Sequence, residues 1–290
     1  MTIDWVQIAT QALLVVLSPV AVGLIFGIDR KITAHMQNRV GPPIIQPFYD
    51  LIKLFGKRPM VMNNGQVVFA FACLILQAAA LALFVSGGDL LIIFFVSGAG
   101  SVALVLGAFS AKSPYSYFGS QRELLQILAY EPVFLLVILL IGYDTGTFTV
   151  SALNTSLLPA LSFALIALMV VLVIKLQKSP YDIATAHQEI VSGPYVEYSG
   201  PYLGITKLAH WFEVAILFGV FTLFFWNENH LLSIAGKVAI VAIAIFVTQI
   251  LDNASARLTR ERMVKFTLPF GILLVALNMA IVYLNTQGAF

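Results

Sequence analysis

Long apolar runs alternate with short polar segments along almost the whole chain. A helix that crosses a bilayer needs about 20 mostly apolar residues. Eight runs approach or meet this length, at residues 3–28, 67–85, 90–109, 124–141, 157–174, 208–226, 234–251 and 266–284. The pattern therefore predicts an all-α integral membrane protein, with eight transmembrane helices in a single multi-pass domain over residues 1–290.

The basic residues fall on alternate connections between these runs. Lys and Arg concentrate on the cytoplasmic side of membrane proteins. The connections after runs one, three, five and seven, with their flanking helix ends, hold 15 of the 16 Lys and Arg residues, and only Lys237 lies elsewhere. This alternation predicts cytoplasmic odd-numbered connections and both termini outside. No basic residue precedes the first run, so we expect a retained span rather than a signal peptide. Three lysines at span ends are expected to extend toward the interface: Lys112, Lys175 and Lys207.

The connection after the first run predicts a helix that lies along the membrane surface. Gly41-Pro42-Pro43 forces a rigid turn, and Pro47 suits the first turn of a helix. From there the side chains divide into two faces, with Phe48, Leu51, Ile52 and Phe55 on the apolar one and Asp50, Lys53 and Lys57 on the charged one. This spacing is typical of an amphipathic interfacial helix. A plain membrane anchor and the lip of a binding cavity or docking surface both fit it.

Residues 179–200 form a polar segment that is too long for a simple helix–helix connection. Its ionisable groups include the side chains of Asp182, His187, Glu189 and Glu197. Its aromatic residues and varied sequence argue against disorder. We therefore predict a long functional loop on the cytoplasmic side, between spans five and six.

Composition supports the membrane assignment and excludes several classes of function. Hydrophobic residues make up 60% of the chain and charged residues 10%, whereas a soluble domain carries about 25% charged residues. A net charge of +2 gives no nucleic-acid footprint. The single cysteine, Cys73, excludes a disulfide framework and an iron–sulfur cluster held by this chain alone, and we expect it to be a buried apolar residue. No metal-ligand spacing or nucleophile arrangement is present in the sequence, which predicts that any redox cofactor lies on partner subunits.

Two carboxylates lie inside predicted spans. Glu131 precedes Pro132 in span four, and Glu213 follows His210 by three residues in span six. A carboxylate in a span costs at least about 2.5 kcal/mol on insertion scales, which marks a candidate functional site. Pairing with a basic residue of another span is the structural alternative. With neighbouring ionisable groups they are predicted to line a polar path from the cytoplasmic loop into the membrane, which consists of Glu123, Glu131, Asp182, His187, Glu189, Glu197 and Glu213.

Three segments of the chain carry a family resemblance. The first is Asn38-Arg-Val-Gly-Pro42, with Gln46-Pro47, Asp50 and Lys53-Leu54 after it. The second is Gln121-Arg122, followed by Tyr130-Glu131. The third is Ser179-Pro-Tyr-Asp182, then Glu189-Ile-Val-Ser-Gly193 and Val196-Glu-Tyr-Ser-Gly200. In order and in spacing they resemble the membrane subunit beneath the quinone chamber of respiratory complex I, and its counterparts in membrane-bound nickel–iron hydrogenases.

Three features point to one branch of this superfamily. The Gly41-Pro42-Pro43 turn is compact, and His187 and Gln188 stand where the complex I type commonly has acidic residues. With Gly193-Pro194, these features resemble the energy-converting (group 4) nickel–iron hydrogenase and formate hydrogenlyase branch.

The resemblance implies a non-catalytic, membrane-anchoring and coupling subunit in the cytoplasmic membrane. It would dock an electron-transfer arm and link hydrogen evolution from ferredoxin or formate to translocation of protons or sodium ions. The docking surface and its loop geometry would use Arg39, Gly41, Pro42, Gln46, Asp50 and Lys53.

The implied partners are the hydrogenase large and small subunits, an iron–sulfur subunit and antiporter-like membrane subunits. The nickel–iron centre and iron–sulfur clusters would lie on those partners. Two alternatives remain open at this point. One is a complex I (NADH–quinone oxidoreductase) membrane subunit that forms the quinone site, and the other is a stand-alone ion or solute transporter.

Overall fold

The computed structural model describes residues 5–61 and 63–286, and within these ranges all the regular structure is helical. The helices are α1 (Trp5–Met36), α2 (Gln46–Phe55), α3 (Asn64–Val85), α4 (Leu90–Ser110), α5 (Pro114–Thr145), α6 (Ser162–Lys175), α7 (His187–Ile190), α8 (Pro201–Leu223), α9 (His230–Ala254) and α10 (Arg260–Thr286). Single 3₁₀ turns occur at Val150–Ala152 and Gly193–Tyr195. The predicted all-α fold class is confirmed.

In this described part of the chain, seven helices are long and apolar enough to cross a membrane. They are α1, α3, α4, α5, α8, α9 and α10, and each contains most or all of one predicted run. α9 leaves large apolar side chains exposed, including Leu231 and Ile243, as expected of a helix with one face toward lipid. The prediction of a multi-pass membrane protein is confirmed.

The fifth predicted run contains α6, which is shorter than the other candidates. α6 has 14 residues, about 21 Å at 1.5 Å per residue, whereas the hydrocarbon core of a bilayer is about 30 Å thick. The eighth span, the side on which each terminus lies and the cytoplasmic position of the loops therefore stay predictions.

The residues before α6 are not helical, and their backbone groups bond to neighbouring elements. The Leu158 N–H donates to the carbonyl of Phe224 at 2.9 Å. Asn278 is a buried residue of α10. Its side chain accepts a hydrogen bond from the N–H of Ala164, in the first turn of α6, at 2.9 Å, and donates one to the carbonyl of Ala160, which precedes α6, at 2.7 Å. A buried backbone group left unpaired costs about as much as a lost hydrogen bond. By bonding to these backbone groups, Asn278 offsets the cost of burying the non-helical segment before α6.

The chain divides into two compact units. The first comprises Met1–Ser120 with His187–Ile216, and the second comprises Gln121–Ala186 with Leu217–Phe290. The single membrane domain expected over residues 1–290 stays a prediction.

In the first unit, α3 and α4 pack closely along small residues. Ala70 and Cys73 of α3 share a buried cluster with Ala103 and Leu104 of α4 and with Tyr198 from the segment before α8. Cys73 is thus the buried apolar residue that the sequence predicts. In the second unit, α6 packs against α9 and α10, and α6 side chains such as Leu168 are fully buried.

Candidate functional site

The turn that follows α1 packs closely against α1 at Gly27, a glycine of that helix. A Cβ atom on Gly27 would lie 1.7 Å from the carbonyl oxygen of Ile44, so only glycine allows this approach. Gly41 lies close to Ala34, near the end of α1. The ring of Phe48 meets Trp211 of α8 edge-on, with ring centroids 5.4 Å apart. These contacts fix the Gly41–Pro42 turn and the start of α2 within the first unit.

α2 lies where the sequence predicts it, but its apolar face is divided. The helix begins at Gln46 with Pro47 in its first turn, as expected. Pro47 and Leu54 are buried, whereas Ile52 is 67% exposed and Phe55 is 45% exposed. Pro47 and Leu54 are seven residues apart and share one face, because seven residues make about two helical turns. The other apolar edge faces away from the protein, which suits a helix at a membrane surface.

Asp50 is the best-connected residue of the predicted docking surface. It accepts hydrogen bonds from Arg30 Nη1 at 3.0 Å and from Gln46 Nε2 at 3.1 Å. Burial by itself raises the pKa of Asp50, but these bonds and the charge of Arg30 outweigh that effect and hold the pKa below its ordinary value of 3.8. The predicted group of Gln46 and Asp50 is therefore a real cluster, and it includes Arg30, which the sequence interpretation did not select.

The other predicted docking residues are more exposed. Arg39 is exposed, and its guanidinium donates to the side chain of Gln37. Lys53 is also exposed, and Pro42 is half-buried. Arg39 and Lys53 thus present positive charge at the surface, and their docking role stays a prediction.

The first half of the central loop is fastened to the connection between α9 and α10. Arg257 makes a two-pronged ion pair with Asp182, with Nε 2.8 Å from Oδ1 and Nη2 2.6 Å from Oδ2. Asp252 accepts from the Ser179 N–H at 3.0 Å and from Lys178 Nζ at 3.0 Å. The Ser179–Pro180 peptide is cis. The loop carboxylate Asp182 therefore has a structural partner, a role that the sequence did not reveal.

Two side chains of α5 donate hydrogen bonds to the same segment of the loop. Arg122 Nη1 donates to the carbonyl of Ile183 at 3.2 Å, and the side-chain amide of Gln126 donates to the carbonyl of Tyr181. Burial raises the pKa of the Tyr181 hydroxyl. Arg122 thus contacts the residue that directly follows the Ser179–Asp182 motif, although the two residues are 61 positions apart in the sequence.

The second half of the central loop belongs to the first unit. His187 and Glu189 are exposed on the short helix α7, and the Nδ1 atom of His187 contacts the carbonyl of Val191. Glu197 is half-buried. Its neighbour Tyr198 is buried against α4, where a Cβ atom on Gly107 would lie 2.3 Å from the tyrosine hydroxyl. Burial raises the pKa of this hydroxyl above the ordinary range of tyrosine.

Glu213 lies in α8 and is held by neighbouring polar side chains. Ser101 Oγ donates to Glu213 Oε1 at 2.6 Å, and His210 Nδ1 lies 3.4 Å from Oε2. The His210 ring stacks on Phe26, with centroids 6.0 Å apart. A carboxylate within an apolar helix is thereby supplied with a hydroxyl donor and an imidazole, which are the groups needed to hold or exchange a proton.

Glu123 and Glu131 are half-buried on α5, and α5 continues unbroken through Pro132. Next to Glu131, the ring of Tyr130 lies under the ammonium group of Lys175, 4.4 Å from the ring centroid. Lys175 is only 8% exposed. The expectation that Lys175 extends to the interface is wrong, because the lysine is buried within the second unit, where an aromatic face stabilises a cation.

The seven predicted path residues are divided between the two units. His187, Glu189, Glu197 and Glu213 belong to the first, and Glu123, Glu131 and Asp182 belong to the second. Their assignment to one path stays a prediction. Sequence interpretation missed several polar residues whose side chains bond to distant parts of the chain, namely Gln77, Ser97, Ser101, Arg257 and Asn278. Gln77, Ser97, Ser101 and Asn278 each interrupt an apolar run, so polarity inside a predicted span was the available signal.

Several known proteins are similar in sequence to this chain. The chain is 27% identical to hydrogenase-4 component C of Escherichia coli, over 75% of this chain and 74% of that one. It is 26% identical to formate hydrogenlyase subunit 4 of the same organism, over 81% and 86% of the two chains. It is 27% identical to NADH-ubiquinone oxidoreductase chain 1 of Oryctolagus cuniculus, over 70% and 71%.

A solved structure of a membrane-bound sulfane sulfur reductase, an archaeal respiratory membrane complex, contains a similar chain. The TM-score is 0.82 at 25% sequence identity, and the match covers 95% of this chain and 99% of that one. These relatives confirm the superfamily expected from the Asn38–Pro42, Ser179–Asp182 and Val196–Gly200 segments. A family model described as NADH dehydrogenase matches residues 8–283, and because this span is nearly the whole chain, the protein belongs to the NADH dehydrogenase family.

Proposed function

We propose that this protein is the membrane-anchoring and coupling subunit of a membrane-bound nickel–iron hydrogenase complex. In that role it docks a cytoplasmic electron-transfer and hydrogenase arm. It links hydrogen evolution from a low-potential donor, ferredoxin or formate, to translocation of protons or sodium ions. The similarity to hydrogenase-4 component C and formate hydrogenlyase subunit 4 supports this proposal, as does the compact Gly41-Pro42-Pro43 turn.

The observation that carries the proposal is the carboxylate of Glu213 inside an apolar helix. A subunit that only anchored partners would have no need of a carboxylate at this position, where its insertion costs at least about 2.5 kcal/mol. Its contacts with Ser101 and His210 give it a hydroxyl donor and an imidazole neighbour. Glu213 therefore acts in the coupling path, together with Glu131, Glu123, Asp182, His187, Glu189 and Glu197.

The proposed topology places the docking residues on the cytoplasmic side. Eight spans, with α6 as the fifth, put both termini outside and the α1–α3 and α6–α8 connections inside, in agreement with the distribution of Lys and Arg. α2 then lies at the cytoplasmic membrane surface, where Arg39, Asp50 and Lys53 face the arm. The complex resides in the cytoplasmic membrane.

The chemistry of electron transfer is assigned to partner subunits. The nickel–iron centre and the iron–sulfur clusters lie on the hydrogenase large and small subunits and on an iron–sulfur subunit. Antiporter-like membrane subunits receive the coupling signal. The chain described here contributes carboxylates and docking surfaces, and no catalytic residue.

A second candidate function follows from the solved relative. A chain from a membrane-bound sulfane sulfur reductase matches 95% of this protein, so the same coupling role in a sulfane-sulfur-reducing complex fits the fold equally well. In that case the electron acceptor at the arm is sulfur rather than protons. A complex I type subunit that forms a quinone site is the remaining alternative within the family.

The experiment uses the purified intact complex reconstituted in liposomes. Reduced ferredoxin or formate is supplied, and hydrogen release and ion uptake are measured together. We expect hydrogen evolution coupled to ion uptake and insensitive to quinone-site inhibitors. Sulfide production from a polysulfide, without hydrogen, would assign the sulfur-reducing function. Inhibition by quinone-site ligands would assign the complex I type.

Glutamate variants then test the coupling role. Glu131→Gln and Glu213→Gln are expected to keep hydrogen evolution within about twofold and to lose most ion uptake per electron. Glu228→Gln, at an exposed position outside the helices, is the matched control and keeps both. Normal ion uptake in the two variants would remove these residues from the path. Ion or solute transport by the chain alone in liposomes would favour a stand-alone transporter.

A further inference from the structure

A chain of hydrogen-bonded side chains crosses from α3 through α4 to α8 within the first unit. We call its members Gln77, Ser97, Ser101 and Glu213 the amide–carboxylate chain. Ser97 and Ser101 lie one turn apart on α4, with Gln77 on one side and Glu213 on the other. Gln77 is 1% exposed, Ser97 7% and Ser101 6%. Three of the four members are thus almost completely removed from solvent.

The hydrogen bonds of this chain fix the orientation of the Gln77 amide. Ser97 Oγ donates to Gln77 Oε1 at 2.9 Å, and Gln77 Nε2 donates to the Ser97 carbonyl at 2.9 Å. Since a hydroxyl can donate only one proton and an amide nitrogen can only donate, this pairing sets which end of the amide carries the N–H groups. The nitrogen is thereby directed toward Ser101, 3.4 Å away.

The orientation of Gln77 determines what Ser101 can do. Ser101 Oγ receives the amide N–H and must use its own proton as a donor elsewhere. Two acceptors are in reach, Glu213 Oε1 at 2.6 Å and the Ser97 carbonyl at 3.4 Å. The much shorter distance favours Glu213, because 2.6 Å is a normal length for a hydroxyl hydrogen bond and 3.4 Å is long for one. Ser101 is therefore directed at Glu213 Oε1.

The two oxygens of Glu213 consequently differ. Oε1 accepts the Ser101 hydroxyl, whereas Oε2 faces His210 Nδ1 at 3.4 Å. A proton exchanged between Glu213 and its neighbour therefore moves between Oε2 and Nδ1, and Oε1 keeps its hydrogen bond throughout. The exchange breaks one O–H or N–H bond and forms the other, with no further reactant.

A purely structural reading of these residues is that polar side chains hold helices together in the membrane. That reading accounts for the Gln77–Ser97 pair. It also accounts for Gly100, where a Cβ atom would lie 2.8 Å from Gln77 Nε2. It does not account for the end of the chain, because a neutral acceptor on α8 would join α4 to α8 without the cost of a carboxylate.

We infer that Ser101 is a positioning residue for Glu213, oriented by Gln77 and Ser97, and that it directs proton exchange of Glu213 to the oxygen facing His210. This inference rests on the proposed coupling role of Glu213. It adds α3 and α4 to the elements that set the state of the coupling carboxylate.

The test is infrared difference spectroscopy on the intact complex in liposomes during an acid–base step. The carbonyl band of protonated Glu213 is identified by its loss in Glu213→Gln. Ser101→Ala removes the hydrogen bond to Oε1, so the band is expected at higher wavenumber. Ser101→Thr keeps a hydroxyl and is expected to keep the band in place. Ser110→Ala on the same helix is the matched control, because Ser110 Oγ donates to the Gly107 carbonyl and is not a member of the chain.

Gln77→Leu tests the orienting step. Without the amide, the Ser101 hydroxyl divides between Glu213 and the Ser97 carbonyl, so the band is expected to broaden and move part of the way toward its position in Ser101→Ala. If Ser101→Ala does not assemble, Ser101→Cys provides the test, since a thiol fills a similar volume and is a weak donor. A band that is unchanged in Ser101→Ala or Ser101→Cys, with Glu213 still observed, overturns the inference.

Failure of the proposed function has a different signature. If Glu213→Gln pumps ions normally while Ser101→Ala still shifts the Glu213 band, the positioning role stands and the coupling role of Glu213 is removed. If Glu213→Gln uncouples the complex and Ser101→Ala leaves the band in place, the coupling role stands and the positioning role is removed.

Discussion

Arg257 and Asp182 form a two-pronged ion pair, with nitrogen–oxygen distances of 2.8 and 2.6 Å. The pair fastens the Ser179–Asp182 motif to the segment that follows α9. Beside it, Asp252 accepts hydrogen bonds from the Ser179 N–H and from Lys178 Nζ. A two-pronged pair between a guanidinium and a carboxylate requires a defined geometry. The ion pair therefore fixes the position of the central loop relative to the connection between α9 and α10. This motif therefore has a structural role alongside its predicted role in coupling.

Loss of the ion pair is expected to loosen the loop. Arg257→Gln removes both charged hydrogen bonds, and we expect the free energy of unfolding of the full chain in detergent to fall by roughly 1.5–3 kcal/mol. Limited proteolysis is expected to cut residues 178–186 several times faster. Arg262→Gln, at an exposed position on α10, is the control. Equal cutting rates in the two variants would show that the pair does not restrain the loop.

Gly27 is expected to tolerate no side chain. A Cβ atom there would lie 1.7 Å from a backbone oxygen of Ile44, which cannot rotate away. Gly27→Ala is therefore expected to destabilise the chain by about 3 kcal/mol or more, at or beyond the usual range for overpacking. Gly56→Ala is the matched control, because its Cβ would meet nothing closer than 3.6 Å. Thermal unfolding monitored by circular dichroism gives the comparison, and similar melting temperatures would contradict the expectation.

Asn278 is expected to be essential to the short helix α6. Asn278→Leu leaves the Ala164 N–H and the Ala160 carbonyl without their partner, and we expect a loss of roughly 2–5 kcal/mol from two unsatisfied buried groups. Hydrogen exchange measured by mass spectrometry is expected to increase over residues 156–166. Asn285→Leu changes an exposed asparagine on the same helix and serves as the control. Unchanged exchange over residues 156–166 in Asn278→Leu would contradict this role.

Asp50 is expected to give a small, acid-sensitive contribution to stability. Its pKa in the folded chain lies below the ordinary 3.8, so its contribution is present above that value and is lost as the pH falls through the folded pKa. Arg30 and Asp50 side chains are 47% and 39% exposed, so the contribution is expected to be below about 1 kcal/mol and weaker in salt.

Asp50→Asn provides the measurement for this effect. The difference in unfolding free energy between the native chain and the variant is compared at about pH 6 and at about pH 3, on either side of the ordinary Asp value. The difference is expected to shrink at the lower pH. Glu261→Gln, which alters the exposed pair with Lys265, is the control. A difference that grows as the pH falls would contradict the assigned sign.

The sequence predicted the long helices well because a long apolar run is a local property. The runs at 90–109 and 67–85 coincide with α4 and α3 within a few residues. α2 was predictable because Pro47 and the spacing of apolar residues act within ten positions. The fifth run was predicted less well. Its average hydropathy is high throughout, but the residues before Ser162 are not helical, and hydropathy does not distinguish the two conformations. Asn278, 114 residues from Ala164 in the chain, permits that departure.

The candidate site shows the same division. Glu131 and Glu213 were identifiable as carboxylates within apolar runs, and the three motif segments identified the superfamily. Their partners were not identifiable, because a hydrogen bond depends on atoms that folding brings together. Ser101 and Glu213 are 112 residues apart, and Arg257 and Asp182 are 75 apart. Lys175 illustrates the converse, since a lysine at a span end was expected at the interface and lies buried over Tyr130.

The sequence by itself determined that this chain is helical, spans a membrane several times and belongs to the NADH dehydrogenase family. Local hydrophobicity and short motifs are sufficient for these predictions, because both depend only on residues that are close together in the sequence. Only the tertiary structure decided that Ser101 donates to Glu213, that Asp182 is held by Arg257 and that Asn278 supports a short α6. Each of these depends on the direction of a side chain and on removal from water, and packing between distant segments sets both.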